Sequence, residues 1–344
     1  MQVSLIIYFA ALLGSGAVGL RPDVLALVIL CLALAILFAF VARVLGPAFD
    51  WLAIGSEGAF LICSLGLSLA CLSYVGAKIG LPIRDPEIAA FDRWLGFNWL
   101  SAAHLLDGSP LALSILDASY STFTAQLVLT AVVLFATRRY RELDRYFVTF
   151  ACASLLAEAA SVAAPTLGPM ATLAAGSTFE HVPTLGRTTA AIVLALRDGT
   201  LSAVDLRSLD GIISFPSLHA AVAVLVPYHL RWNRALFWPV TMLNLLMLAS
   251  AIPSGNHYLS DILGGIVVAG LGIVSGRVLH AWLSPARPLR PLSDLRNDRP
   301  QVADATVLLI RENLAGAAVR IEPVSAPIPC KQGILQGILA REDS

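Results

Sequence analysis

Two histidines and one aspartate have the residue types and the spacing that catalysis could use. His219 lies in the stretch Ser-Phe-Pro-Ser-Leu-His-Ala-Ala, and His257 and Asp261 lie in Gly-Asn-His-Tyr-Leu-Ser-Asp. Each stretch opens a long apolar run that is otherwise nearly free of charge. Residues four apart share one face of a helix, so we expect Asp261 to orient and polarise the His257 imidazole.

A histidine pair beside a carboxylate favours phosphoryl transfer when it lies at helix N-termini. Such a terminus offers unpaired N–H groups and the positive end of the helix dipole, which together can hold a phosphate. Ser214 and Asn256 are suitable N-cap residues for the two apolar runs. One imidazole could then attack phosphorus while the other protonates the departing oxygen.

Other interpretations of the same three side chains stay open. Two histidines and one carboxylate can hold a metal ion. Ionisable groups can also form the ion path of a transporter, although these lie at helix ends rather than at mid-depth. A bundle that binds lipid without turnover is a third possibility. The remaining histidines fit ordinary interfacial positions: His104, His181, His229 and His280.

The composition of the chain places these residues in a membrane protein. Hydrophobic residues make up 57% of the 344 residues and charged residues only 13%, whereas a soluble domain carries about 25% charged residues. The formal net charge is zero, so nucleic acid is not an expected partner. The five cysteines have neither the spacing of a disulfide framework nor that of a metal site.

Hydropathy predicts an all-α, polytopic transmembrane bundle of about eight spans, with a six-helix catalytic core. A span needs about 20 mostly apolar residues. The candidate spans are 3–20, 24–45, 59–77, 119–137, 146–164, 214–230, 235–252 and 258–283. We expect N-terminal transmembrane helices at 1–77, a catalytic membrane domain at 78–283, and a Pro/Arg-rich cytoplasmic tail without fixed structure at 284–344.

Arginines in short loops predict the orientation of the bundle. Loops 138–145 and 231–234, and the segment after the last span, are rich in arginine, and such segments face the cytoplasm. All three do so when the N-terminus is inside. His219, His257 and Asp261 then lie at the outer face, which in a bacterium is the periplasmic side of the inner membrane.

The long outer loops are expected to cover this face. Within loop 78–118, residues 87–107 mix aromatic and charged side chains, which is typical of a helix in the membrane interface. Within loop 165–213, residues 189–196 are apolar over about two turns and predict a short helix or cap. The hairpin tip at 253–256 is small and polar, and should lie in outer water.

The two motifs resemble those of a known enzyme family. Phe-Pro-Ser-Leu-His219-Ala-Ala and His257-Tyr-Leu-Ser-Asp261 are similar to the second and third motifs of the type 2 phosphatidic acid phosphatase superfamily. More narrowly, they resemble its inositol phosphorylceramide synthase branch. A looser similarity extends to Asp85, Asp92 and the Leu-Gly-Phe that follows.

The resemblance implies phosphoryl transfer that needs neither a metal ion nor another cofactor. By motif, His257 is the nucleophile that forms a phosphohistidine, Asp261 orients it, and His219 is the general acid for the leaving group. The implied substrate is a phospholipid, a sphingolipid or an isoprenoid phosphate in the bilayer. Both a lipid phosphatase and a phospho-headgroup transferase, of the inositolphosphotransferase kind, fit this chemistry.

The residues that bind the phosphate are harder to assign. Ser217 and Tyr258 lie within the motifs and are expected to contact the substrate. The family's first motif, a lysine followed by Arg-Pro, is not recognisable, and residues 165–169 occupy about its place without a basic residue. Arg187 and Arg197 in the outer loop are therefore candidates by location.

Overall fold

The computed structural model describes residues 19–20, 22–201, 203–204 and 211–283. The predicted first span lies outside these residues except for its last two, 19–20. The predicted tail at 284–344 lies outside them entirely.

The regular elements of the described residues are helices, apart from one pair of two-residue strands. They are β1 (Gly19–Leu20), α1 (Pro22–Leu45), a 3-10 turn (Pro47–Phe49), α2 (Asp50–Ile79), α3 (Asp85–Trp94), α4 (Trp99–Asp107), α5 (Pro110–Ser121), α6 (Phe123–Ala136), α7 (Tyr140–Ala163), α8 (Pro169–Thr172), α9 (Leu185–Asp198), β2 (Ala203–Val204), α10 (Leu218–Leu230), α11 (Arg234–Ser250) and α12 (Leu259–Leu283). The strands pair in parallel, with Gly19 opposite Ala203. The predicted helical bundle is confirmed.

Several of these helices are suited to cross a membrane. Among the described residues, α2, α7 and α12 are long and apolar enough, and α5 with α6, which are bent by 47° relative to one another, make a fourth if they form one span. α10 and α11 are apolar but shorter, at 13 and 17 residues. The bounds of α1 match those of the predicted second span. The total of about eight spans stays a prediction.

Small residues let α7 and α12 pack closely. A Cβ atom added at Gly272 would lie 2.7 Å from the Ala153 Cβ atom, and one at Gly276 would lie 2.6 Å from the Thr149 hydroxyl oxygen. Both distances are shorter than van der Waals contact, so no larger side chain fits here. Moving from Thr149 to Ala153 on α7 corresponds to moving from Gly276 to Gly272 on α12. The two helices are therefore antiparallel.

A second glycine contact joins the two sequence motifs. A Cβ atom at Gly264 would lie 3.2 Å from the Phe215 ring, and one at Gly265 would collide with the Ser217 carbonyl oxygen. The start of α10, with the motif that contains His219, therefore packs directly on the first turns of α12. Below this contact the two helices share an apolar core with α2, α7 and α11, which includes Leu65, Phe150, Val222, Leu225 and Met247.

The predicted interfacial helix at 87–107 is two helices, α3 and α4, separated by a turn at Gly96, whose φ is +80°. Phe91 and Trp94 are exposed, and their rings stack 5.5 Å apart. Trp99 instead is buried, and its indole N–H donates to the Ile252 carbonyl oxygen at 3.0 Å. The aromatic residues of this segment thus serve two purposes, an apolar outer surface and the anchoring of α4.

The structure also differs from the prediction at α9, which has 14 residues rather than about two turns. Together with α8 it covers the hairpin tip at 253–256, which is buried. Met170 N–H donates to the Gly255 carbonyl oxygen at 3.1 Å, and Gly186 N–H donates to that of Ser254 at 3.3 Å. The prediction that this tip lies in water was wrong, because its carbonyl groups find partners in the loop above it.

The arginine-rich loops meet at the opposite end of the bundle. The Arg139 guanidinium lies 3.8 Å from the centre of the Trp232 ring. Arg231 approaches the Glu142 carboxylate to 3.7 Å. Since α10 begins beside His219 and ends beside Arg231, the histidine motifs and the basic loops lie at opposite ends.

Candidate active site

His257 is held by the backbone rather than by a helix. It precedes α12, which begins at Leu259, so the prediction that His257 and Asp261 share a helical face was wrong. The His257 Nδ1 atom lies 2.9 Å from the Ser214 carbonyl oxygen. Because a carbonyl oxygen only accepts, Nδ1 carries the proton and the Nε2 lone pair is left for chemistry.

Asp261 supports His257 mainly through other residues. Its Oδ2 atom is 3.8 Å from His257 Nδ1, which is too far for a hydrogen bond but close enough for electrostatic attraction. The same oxygen accepts from the Tyr258 N–H at 2.8 Å and lies 3.1 Å from the Ser214 hydroxyl, which also donates to the Asn256 carbonyl oxygen. Asp261 therefore fixes both the residue that follows His257 and the residue whose carbonyl holds its ring.

His219 lies beside His257, as the motifs predicted. It is the second residue of α10, and its ring stacks on Tyr120 with 3.9 Å between ring centres and an interplanar angle of 11°. Phe123 lies against it at 4.4 Å. The centres of the two imidazole rings are 5.9 Å apart, so both rings lie in one site.

The helix N-termini are capped differently from the prediction. Ser217, not Ser214, caps α10: its hydroxyl accepts from the Ala220 N–H at 3.3 Å. At α12 the Asp92 carboxylate takes this role and accepts from the N–H groups of Leu259 and Ser260, both at 2.8 Å.

This capping decides where a phosphate could meet free N–H groups. The predicted phosphate site at the α12 terminus was wrong, because a carboxylate already occupies its first N–H groups. In the described part of the chain, the Leu218 and His219 N–H groups have no acceptor. The α10 terminus therefore keeps two donors beside the histidines.

Asp85 is a second carboxylate whose role sequence reasoning missed. It accepts from the N–H groups of Leu167 and Gly168, at 2.8 and 2.9 Å, and from the Tyr258 hydroxyl at 2.9 Å. Burial raises the pKa of Asp85, and these bonds oppose the rise. The looser resemblance around Asp85 and Asp92 was the sequence signal: these two carboxylates fasten the third motif in place.

The histidines open onto a cavity of about 450 Å³ between the helices. His219, His257 and Asn256 line one end, and the cavity continues between α2, α6 and α7. From Glu158 to Tyr146 on α7 it extends roughly 18 Å at 1.5 Å per residue. Its walls are mostly apolar and include Leu65, Leu69, Leu127, Phe147 and Phe150.

The residues predicted to bind the substrate do not line this cavity. Ser217 and Tyr258 are fully buried, and both have internal hydrogen bonds. Arg187 donates to the carbonyl oxygens of Ala174 and Ser177, and Arg197 donates to that of Leu81. Among the described residues, no lysine or arginine lines the cavity. Direct contact of these four residues with a substrate stays a prediction.

A comparison with protein families decides the relationship. The family described as the PAP2 superfamily matches residues 86–275, which is more than half of the chain. The chain belongs to the PAP2 superfamily. Searches among curated proteins and among solved structures found no match. The superfamily predicted from the two motifs is thus confirmed, whereas the inositol phosphorylceramide synthase branch stays a prediction.

PAP2 membership supports a phosphatase-type enzyme that acts on lipid phosphates. Together with the apolar helices, it identifies an integral membrane protein. The match covers all three predicted catalytic residues as well as Asp92. Among the described residues, no group of three His, Cys, Asp or Glu side chains that could hold a metal ion is found.

Proposed function

We propose that this PAP2 protein is a lipid phosphatase or phospho-headgroup transferase that forms a phosphohistidine on His257. The observation that carries the proposal is the hydrogen bond from His257 Nδ1 to the Ser214 carbonyl oxygen. It fixes the tautomer whose Nε2 lone pair can attack, in a ring that lines the cavity beside a second histidine.

The reaction has two steps. First, His257 Nε2 bonds to phosphorus as the bond from phosphorus to the leaving oxygen breaks, and His219 gives its proton to that oxygen. Second, water or an alcohol attacks phosphorus, the P–N bond breaks, and the proton of the attacking hydroxyl passes to His219. Water makes the protein a phosphatase, and an alcohol makes it a transferase.

Asp261 is proposed as a positioning residue. The His257 ring becomes positively charged when Nε2 bonds to phosphorus, and a carboxylate 3.8 Å from Nδ1 stabilises that charge. The Asp261 contacts with Tyr258 and Ser214 keep the ring from turning. The same division of work, nucleophile, acid and supporting carboxylate, follows from the motif resemblance.

The cavity fits the chain of a lipid. Its apolar length of roughly 18 Å suits an acyl or isoprenoid chain, with the phosphate at the histidines and the free N–H groups of α10. A phospholipid, a sphingolipid phosphate and an isoprenoid phosphate all combine an apolar chain with a phosphate group.

Trapping the intermediate tests the covalent mechanism. Full-length protein in detergent micelles, mixed rapidly with a ³²P-labelled lipid phosphate in excess chelator, should acquire label that is labile in acid and stable in base. Label on His257 supports the proposal. Activity lost in chelator and restored by one divalent ion would favour metal-assisted hydrolysis instead. A transporter would form no labelled protein, and its lipid movement would survive His257→Ala.

We also propose that the reaction takes place at the outer face of the membrane. Support comes from the basic loops, which meet at the end of the bundle away from the histidines. Because the hairpin tip is buried, the reporters should be exposed positions: Thr178 on the histidine side and Ala235 on the basic side. In a cysteine-free background, Thr178→Cys should react with an impermeant thiol reagent in intact cells, and Ala235→Cys only after lysis. The reverse pattern would invert the orientation.

A further inference from the structure

The mechanism leaves one buried acidic group unused. Glu158 lies in α7 and is 2% exposed, and neither of its carboxyl oxygens has a hydrogen-bond partner among the described residues. Asp85 and Asp92, equally buried, each accept from at least two N–H groups. A buried polar group without a partner is unfavourable and needs an explanation. Glu158 lines the cavity, so a ligand there can supply the missing partner.

Helix packing places Glu158 at the depth of His219. The contacts of Ala153 with Gly272 and of Thr149 with Gly276 fix the register between α7 and α12, and continuing it puts Glu158 opposite Val267. On the other side, Ser217 contacts Gly265, and α10 and α12 both run away from the site. His219 therefore lies within one helical turn of the same depth, on the same cavity.

Two hydroxyl side chains on the wall of this cavity already have partners. Ser73 and Thr189 line the same cavity. The Ser73 hydroxyl donates to the Ala70 carbonyl oxygen at 2.7 Å, and the Thr189 hydroxyl donates to that of Leu185 at 3.2 Å. Among the cavity-lining residues that the structure describes, Glu158 has two carboxyl oxygens without a partner, whereas Asn256 has one such oxygen, Oδ1.

We propose that Glu158 binds a hydroxyl or amide N–H group of the lipid whose phosphate lies at the histidines. The proposal rests on the proposed function and assigns a specificity-determining residue to it. A carboxyl group accepts a hydrogen bond whether or not it is protonated. The favoured substrate carries a donor group a few atoms from its phosphate. Diacylated glycerol phosphates and isoprenoid phosphates lack such a donor and leave the acceptor oxygens of Glu158 unpaired, which a buried site penalises.

Two lipids and three variants test this inference. The lipids are ceramide 1-phosphate, which has a hydroxyl and an amide, and phosphatidic acid of matched chain length, which has neither. The variants are Glu158→Leu, which removes the acceptor, Glu158→Gln, which keeps one, and Phe150→Leu, a control on the same cavity. Wild-type protein should prefer ceramide 1-phosphate about tenfold in kcat/KM. Glu158→Leu should lose this preference through KM, Glu158→Gln should retain most of it, and Phe150→Leu should affect both lipids equally.

Measurements without turnover separate this inference from the mechanism. In the full-length His257→Ala background, ceramide 1-phosphate should displace a fluorescent lipid about tenfold less effectively after Glu158→Leu, and phosphatidic acid equally well. If both lipids bind with no dependence on Glu158, the inference fails while the proposed function stands. If neither binds, the proposed function fails.

Thermal stability distinguishes recognition from a structural role. Removing an unpaired buried carboxyl should leave the Tm of Glu158→Leu unchanged or raise it. A lower Tm, with equal loss of activity on both lipids, would show that Glu158 holds the fold and would overturn the inference.

Discussion

A buried histidine lies beside a carboxylate at each end of this bundle, but the two pairs differ in their surroundings. His229 Nδ1 is 3.1 Å from the Glu142 carboxylate, a closer approach than the 3.8 Å between His257 and Asp261. The His229 ring is 1% exposed and meets Tyr146 and Tyr228 edge-on. Within the part of the chain that the structure describes, its buried Nε2 atom has no hydrogen-bond partner, and His229 does not line the cavity.

Proximity to a carboxylate therefore does not make a histidine catalytic. At the basic end, Glu142 also attracts Arg145 and Arg231, so it joins the loops there. At the other end, a backbone carbonyl fixes the His257 ring, which lines the cavity next to a second imidazole. Access and a fixed tautomer distinguish the candidate nucleophile from a histidine that serves packing.

The largest expected effect is the difference in activity between two alanine variants, His257→Ala and His229→Ala. His257→Ala should lower kcat by roughly 10,000-fold or more, because no side chain remains to attack phosphorus. His229→Ala should change activity less than about threefold but destabilise the fold by about 2 kcal/mol through lost packing and hydrogen bonding. Phosphate release and thermal unfolding in detergent measure the two effects. Near-normal activity of His257→Ala in a rapid-mix assay would refute the assigned nucleophile.

The second effect depends on the leaving group. His219→Ala should slow a lipid phosphate, whose alkoxide needs a proton, by about 100- to 1,000-fold. It should slow a nitrophenyl phosphate less than about tenfold, since nitrophenolate leaves without protonation. Measuring both substrates on each variant decides the role: equal losses would mean that His219 binds the phosphate or supports the fold instead of donating a proton.

The smallest effect concerns the carboxylates that support the site. Asp92→Asn keeps one acceptor for the α12 terminus but loses the charge, so it should cost about 1 kcal/mol of stability. It should also lower kcat about tenfold, since the N–H groups that Asp92 binds lie between His257 and Asp261. Asp107 is the matched control: it accepts from the N–H groups of Glu180, His181 and Val182, away from the cavity. Asp107→Asn should leave kcat within about twofold of wild type.

The stabilisation that Asp107 provides through its hydrogen bonds should also depend on pH. The N–H groups of Glu180 and His181 lower the pKa of Asp107 below its ordinary value. The stabilisation it gives is therefore present above the unfolded-state pKa of about 3.9 and is lost as the pH falls through the lower folded-state pKa. The difference in Tm between wild type and Asp107→Asn should shrink in that range, and a constant difference would contradict this account.

Helices with strong patterns were the most predictable part of the fold. Long apolar runs gave α2, α7 and α12, because an apolar run of this length has few alternatives to a helix in a membrane. The sequence could not locate the break between α3 and α4 or the full length of α9. Both depend on tertiary partners, such as the Ile252 carbonyl oxygen that holds Trp99.

The motifs predicted the pairing of His219 with His257 but not the means of holding them. Nothing in the spacing shows that the Ser214 carbonyl oxygen, rather than Asp261, is the direct partner of His257. Likewise, Asp92 lies 167 residues from Leu259, whose N–H it accepts. Contacts over such separations follow from packing, which a local pattern does not contain.

The contact at Gly264 and Gly265 bears on how relatives of this protein should be recognised. A search pattern that ends at Asp261 finds every chain that has the reactive residues in this order. It also finds chains with larger side chains at the positions of Gly264 and Gly265, where the Ser217 carbonyl oxygen could not approach α12. The geometry instead defines a longer signature, His-x-x-x-Asp-x-x-Gly-Gly, in which the two glycines carry no chemistry. Distant sequences that keep the glycines can bring both imidazoles together, and those that replace them need a different helix crossing.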